Sequence, residues 1–226
     1  WVPIRFSPPS RLWLCSSLVL ALFVLVVWPS NVAPGHWDDT MYHLPLARFY
    51  VENHGIALAP YLRFPLFPQH MHLLLALGLM LGGEPTAQMF ANLPLFFLAV
   101  GMLGCSLWLT GSLFWGVLAS LLLLFASPIK STWGYAYIDN GLALCCWAAA
   151  VAMALALAPC QHAGARACLP WVIVAAWLAS AAASIKLFGA VFAVCLAVPL
   201  WWYLRAGRNA KVLCSYAGIV LAIGSV

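Results

Sequence analysis

Residues 143–158 read Ala-Leu-Cys-Cys-Trp-Ala-Ala-Ala-Val-Ala-Met-Ala-Leu-Ala-Leu-Ala, without one charged side chain. The run lacks the period-two alternation of a membrane β-strand, whose faces look in turn at lipid and lumen. Its small side chains instead recur at helical spacing, which lets two helix backbones approach closely. A helix of this composition belongs in a bundle, with lipid or other helices on every side.

The rest of the chain repeats that pattern. Of its 226 residues 65% are apolar and only 7% charged, with a mean hydropathy of +1.00. Soluble domains carry roughly 25% charged residues, so too few are present here to coat a water-facing surface. Backbone groups in lipid need internal partners, which leaves helices or a closed barrel, and the missing alternation removes the barrel. Stretches of spanning length, about 17–25 residues, fall near 11–28, 85–107, 111–128, 139–158, 169–185, 187–204 and from 212 onward. The expected fold is all-α: a polytopic integral membrane protein of about seven transmembrane helices. Residues 69–82 are apolar but short, which suits a re-entrant or interfacial helix better than a span.

The net charge of +5 comes from basic residues scattered between apolar runs. They form no patch, so no nucleic-acid partner is expected. Their distribution reads as topology instead. With residues 69–82 not crossing, Arg5, Arg11, Arg166, Arg205, Arg208 and Lys211 fall inside, as basic loops should. Arg48, Arg63, Lys130 and Lys186 then fall outside, together with all five acids: Asp38, Asp39, Glu52, Glu84 and Asp139. Cys15, Cys105, Cys145, Cys146, Cys195 and Cys214 sit in apolar runs as small hydrophobes. Cys160 and Cys168 lack zinc-site spacing and read as free thiols. Residues 12–28 are longer than a signal-peptide core and read as a retained anchor. The chain opens on Trp1 without an initiator Met and ends in an apolar run, as expected of a fragment whose C-terminal remainder is missing.

The chemistry concentrates in the first external loop, 30–68. Pro34-Gly35 breaks the chain after the first span. Apolar positions from Asp39 to Asn53 predict an interfacial helix, stopped by Gly55, with Pro45 in its first turns as a point where it can kink. Asp38-Asp39 has two readings. One of the acids can cap this helix. Alternatively the pair offers a general base or a metal-holding carboxylate, and two adjacent like charges raise the proton affinity of one of them. His36, His43, His54, His70 and His72 share the same side. Arg48 and Glu52, four apart, predict a surface ion pair. Asp139 opens the fourth span, either as its N-cap or as a site residue at a helix mouth. Lys186 stands between two spans, as a snorkelling anchor or as a cation for a lipid phosphate.

The ordered set Trp-Asp38-Asp39-Thr-Met-Tyr-His-Leu-Pro-Leu-Ala-Arg, Tyr135-Ala-Tyr-Ile-Asp139 and Ser184-Ile-Lys186-Leu-Phe-Gly189 resembles the GT-C membrane glycosyltransferases. The nearest branch is the bacterial one related to protein O-mannosyltransferases and the lipid A aminoarabinose transferase. The resemblance implies inverting transfer of a sugar from a polyprenyl-phosphate donor to an acceptor hydroxyl. It places the enzyme in the bacterial plasma (inner) membrane, with its active site on the periplasmic or external side. Asp38 maps onto the family's base, Asp39 onto its second acidic place and Asp139 onto the acid of the next external loop. Lys186, His43, Arg48 and Tyr137 are expected to bind substrate. Some relatives add a divalent metal held by an acid late in the first loop. No acid occurs from Arg63 to His72, where Gln69, His70 and His72 are the polar residues nearest that place. The partners implied are a polyprenyl-phosphate-linked sugar, membrane lipid and an acceptor the sequence does not name.

Two rivals explain the helices without transfer chemistry. A transporter or flippase for a lipid-linked intermediate predicts ionisable groups midway along the spans, and the sequence places every acid at a helix end or in a loop. A non-catalytic membrane scaffold leaves the ordered acids and Lys186 without a role.

Overall fold

The computed structural model describes residues 9–62, 69–163, 165–204 and 210–224. Arg5, Arg63, Arg205 and Arg208 lie outside the described residues, as do the side chains of Arg11, Arg166, Lys211, Cys160 and Cys168. The described chain is all-α, with no strand among the described residues. Helix α1 covers Pro9–Val27 and passes into a 3-10 turn, Trp28–Asn31; a π-helical turn, Asp39–His43, runs directly into α2, Leu44–Glu52. There follow α3 (His70–Thr110), α4 (Leu113–Phe125), the short α5 (Ser127–Lys130) and α6 (Asp139–Ala163). Helices α7 (Ala165–Ala183), α8 (Leu187–Leu204) and α9 (Ala210–Gly224) complete the chain.

The breaks follow local sequence. Gly111 ends α3 in the left-handed conformation, φ 68°. The backbone turns extended at Ala126, ψ 132°, so α4 stops at Phe125, short of the expected end at 128, and Pro128 sits in the first turn of α5. The π-turn widens the helix just ahead of Pro45, whose ring would otherwise meet the carbonyl four residues back. The first-loop helix ends differently from the expectation. His54, not Gly55, takes the positive φ of 52°, and the Gly55 N–H closes the end on the Tyr50 carbonyl at 3.1 Å.

Helix α3 is two legs joined at Gly82 and Gly83, both with non-helical backbone. Gly83, at φ 73° and ψ −161°, occupies a region open essentially to glycine alone. The legs fold back on each other. A Cβ on Gly78 would stand 2.6 Å from the Ala87 Cα, so only glycine permits this approach. Residues 70–81 therefore lie beside the start of the second leg instead of extending it.

Several buried clusters hold the bundle. Ala149, Ala152 and Ala156 of α6 pack on Ala175, Ala176 and Ala179 of α7, the close approach that the 143–158 composition predicts. Leu196 and Leu200 of α8 and Tyr216 of α9 close this core, and the Tyr216 hydroxyl donates to the Ala193 carbonyl at 2.8 Å. A second core joins Leu22 and Val26 of α1, Leu95, Phe96 and Leu103 of α3, and Leu124 of α4. Here the Ser120 hydroxyl donates to the Ala99 carbonyl at 2.8 Å. Large apolar side chains also face outward from most helices. Trp13, Trp28, Met80, Trp108, Phe114, Phe188 and Trp202 are each more than half exposed. Among the described residues two helices are long and apolar enough to cross a membrane, His70–Thr110 and Asp139–Leu157. Cys15–Asn31, Leu113–Phe125, Leu169–Ala183 and Leu187–Trp202 are shorter apolar helices.

Candidate functional site

Three separate breaks between helices meet at one end of the bundle. The first leg of α3 starts there, and the His70 N–H donates to the Ser184 carbonyl at 3.3 Å. Beside it Met71, Ile138 and Ile185 form a small buried cluster. Met71 presses on Gly141, where a Cβ would meet its sulfur at 2.7 Å. These contacts bring the residues before α6 and the turn between α7 and α8 to the foot of α3.

Asn92 fixes the first loop to the same place. Its amide donates to the Gln88 carbonyl at 2.8 Å, the Tyr135 carbonyl at 3.1 Å and the Ser30 hydroxyl at 3.3 Å. Its oxygen accepts the Gly134 N–H at 3.3 Å. Gly134, at φ 80°, packs so closely on Pro29 that a Cβ would lie 2.6 Å from the Pro29 carbonyl oxygen. Buried Asn140 adds a contact from α6, with its side chain 3.3 Å from the Thr132 hydroxyl.

On this frame Asp38 and Asp39 point to different surroundings. Neither caps a helix through its side chain: Asp38 has right-handed helical backbone and makes no capping bond. Asp38 is half-buried and accepts a hydrogen bond from the Tyr42 phenol. Asp39 is completely buried, and both its oxygens lack a partner at hydrogen-bond geometry. Burial raises the Asp39 pKa to about 6, with the nearby Glu84 charge adding to the rise; the Ala136 backbone, the facing Gln88 amide and His36 hold it back. The spacing argument expects mutual repulsion to raise one acid of the pair. Desolvation of Asp39 is the largest cause instead, and the repulsion that adds to it comes from Glu84.

The aromatic residues of the 131–138 segment line the Asp38 side. Tyr137 hydrogen-bonds to the His36 Nδ1, and the His36 ring lies between Tyr135 and Tyr137, 5.1 Å from each ring centre. Burial, then Asp38, Asp39 and Asp139, push the Tyr137 pKa up to about 12. Burial followed by Asp38 raises that of Tyr42 as well.

Asp139 and Lys186 form an ion pair, Nζ to Oδ1 2.7 Å, with both side chains partly exposed. Asp139 also acts electrostatically on Tyr42 and Tyr137, and Lys186 on His43. The structure thus gathers Asp38, Asp39, Tyr137, Asp139 and Lys186 into one neighbourhood.

Other expected site residues stand differently. His43 is buried, with its Nδ1 2.9 Å from the His72 Nε2. It is closed to a substrate, and burial, His72 and Lys186 lower its pKa to about 2. Arg48 pairs with Glu84 beside the Gly82–Gly83 turn, not with Glu52. Its helix buries Leu46, Ala47 and Tyr50 against α3, which turns Arg48 toward the turn. His70 is exposed and His72 buried, because positions two apart on a helix point to different faces. With Gln69 beside them they do not form a metal set. Among the described residues no three His, Cys, Asp or Glu side chains converge to hold an ion. The six described cysteines are free thiols.

Sequence reasoning missed Asn92, which holds the site together from within α3, and Gln88, which faces Asp39 from the same helix. Their signal is two amides four residues apart on an otherwise apolar helix, hence one polar stripe. A search confined to ionisable side chains passes over them.

No protein-family model matches the chain, and no solved structure does. It is 49% identical over 146 residues to the uncharacterized protein SF2093/S2215 of Shigella flexneri, covering 65% of this chain and 73% of the relative. At that identity and coverage, the chain belongs to the family of this Shigella flexneri protein.

Proposed function

We propose that the chain is a polytopic membrane protein that transfers a sugar from a polyprenyl-phosphate donor to an acceptor hydroxyl, with inversion, on the external face. The membrane reading rests on the outward-facing Trp, Phe and Leu side chains, since patches of that kind on a soluble monomer rarely exceed a few hundred Å². The folded-back first leg of α3 supports a topology in which residues 70–81 do not cross, which keeps Asp38, Asp139 and Lys186 on one side.

One observation carries the transfer reading. A half-buried carboxylate, Asp38, shares its neighbourhood with a partly exposed cation, Lys186, which Asp139 holds in place at 2.7 Å. Asp38 takes the proton of the acceptor hydroxyl. The acceptor oxygen bonds to the anomeric carbon as the bond from that carbon to the phosphate oxygen breaks. Lys186 meets the negative charge gathering on the departing polyprenyl phosphate. Tyr42 and Tyr137 stay protonated and are available as donors around the reacting groups.

The test is transfer from a synthetic polyprenyl-phosphate sugar by the full-length protein in membranes. Asp38→Asn is expected to cut turnover by about 10²–10⁴-fold, the range for loss of a general base, with insertion and folding intact. An active Asp38→Asn protein removes the base assignment. Single cysteines at positions 38, 139 and 186, in a background without the native cysteines, test the topology. All three should react with an impermeant thiol reagent from outside, and a split between sides overturns the single external site.

A further inference from the structure

Two facing side chains leave all of their polar atoms without a partner at hydrogen-bond geometry. They are Oδ1 and Oδ2 of Asp39, on the π-turn, and Nε2 and Oε1 of Gln88, on α3. Both residues are completely buried. Buried polar groups are otherwise almost always paired, since an unmade bond costs the full desolvation of the group. Four such atoms in one spot call for an arrangement that satisfies them together.

Counting donors and acceptors leaves one solution within the pair. An ionised Asp39 has only acceptors. It takes an N–H from Gln88 but leaves the amide oxygen beside a second negative oxygen, with no donor for it. A single proton on Asp39 changes the count. The acid O–H then donates to Oε1, and the other acid oxygen accepts from Nε2. The two antiparallel bonds close a ring that uses all four atoms. We propose that at mildly acidic pH Asp39 is a neutral carboxylic acid in the folded protein and forms a cyclic acid–amide pair with Gln88, locking the Asp39–His43 π-turn onto α3.

The surroundings favour the neutral form. Glu84 opposes ionisation of Asp39 and is itself paired with Arg48. His36 and a backbone hydrogen bond from Ala136 act the other way. Asp39 is then a positioning residue, and half-buried Asp38 is the member of the adjacent acids open to a substrate. That last consequence rests on the transfer reading; the acid–amide pair does not.

Infrared difference spectroscopy of the purified full chain tests the pair without any activity assay. At pH 5, wild type minus Asp39→Asn should show the carbonyl stretch of a protonated carboxylic acid, sensitive to deuterium exchange. In Gln88→Leu that stretch should move to higher frequency as the acid loses its acceptor. Gln88→Asn, one methylene shorter, should produce the same shift if the Leu variant does not fold. Absence of the band at pH 5, or a band unmoved by both Gln88 variants, overturns the proposal. A band that behaves as expected in a protein without transfer activity keeps the pair and removes the glycosyltransferase reading.

Discussion

The Lys186 ammonium stands 2.7 Å from the Asp139 carboxylate, tying the turn between α7 and α8 to the first residue of α6. Both groups are partly exposed, so solvent screens the pair and its stabilising share is small. Lys186→Gln and Asp139→Asn in a double-mutant cycle, read by thermal unfolding in detergent, should couple by at most about 1 kcal/mol. A pair kept mainly for function predicts that transfer falls far more than stability in the Lys186 variant.

Asp39 and His43 should give opposite pH dependences. The folded pKa of Asp39 is raised from 3.8 to about 6. Its neutral form therefore favours the fold below about pH 4, and that advantage is lost as pH rises through 6. The full span corresponds to roughly 3 kcal/mol at 1.36 kcal/mol per unit. His43 is lowered from 6.5 to about 2, so its stabilising share is full above pH 6.5 and drains away as pH falls. The two slopes partly cancel in the wild type. Asp39→Asn should leave a protein that loses stability steadily below pH 6.5, and His43→Gln one that loses it between pH 4 and 6. Melting temperatures across pH 4–8 check both.

The fold-back of α3 depends on glycine at two places. Gly83→Ala forces a side chain into a backbone region it avoids, at an expected cost of about 1–3 kcal/mol. Gly78→Val meets the Ala87 backbone instead and should separate the legs. Disulfide trapping of a cysteine pair at 75 and 91 checks the geometry, with crosslinking expected in the wild-type background and lost in Gly78→Val.

Asn92→Leu removes the amide that ties α3 to Ser30, Tyr135 and Gly134. The Gly134 N–H and the Tyr135 carbonyl lose this partner. The expected loss is about 1–3 kcal/mol for each group left unsatisfied, and thermal unfolding reports it. Where the chain carries out transfer, the same variant should lower turnover with Asp38 intact, because the Tyr135–Tyr137 wall moves.

The helices were legible from composition and punctuation. Ala-rich 143–158 called for close packing, and the α6–α7 core has it. The break expected at Lys186 separates α7 from α8. The acids and Lys186 stood out as rare charges in an apolar chain. Their partners did not. Arg48 and Glu52 satisfy helical spacing, yet Arg48 reaches Glu84, because the i, i+4 preference is worth only tenths of a kcal/mol and the packing of α2 decides the direction. Asp38 and Asp39 are adjacent in sequence and alike in charge. Nothing local tells which is buried, since that depends on which face of the π-turn meets Gln88.

The sequence by itself determined an all-α chain, the positions of most helix ends and the short list of charged residues able to do chemistry. Those follow from periodicity, glycine and proline geometry, and the scarcity of charge, which act over a few neighbouring residues. Only the tertiary structure decided that α3 doubles back at Gly82–Gly83, that His43 is sealed against His72, and that Asp39 faces Gln88 while Asp38 faces Tyr42. His43 with His72 and Asp39 with Gln88 join segments tens of residues apart. Such contacts are set by which buried faces fit together, a property that no local stretch of the chain contains.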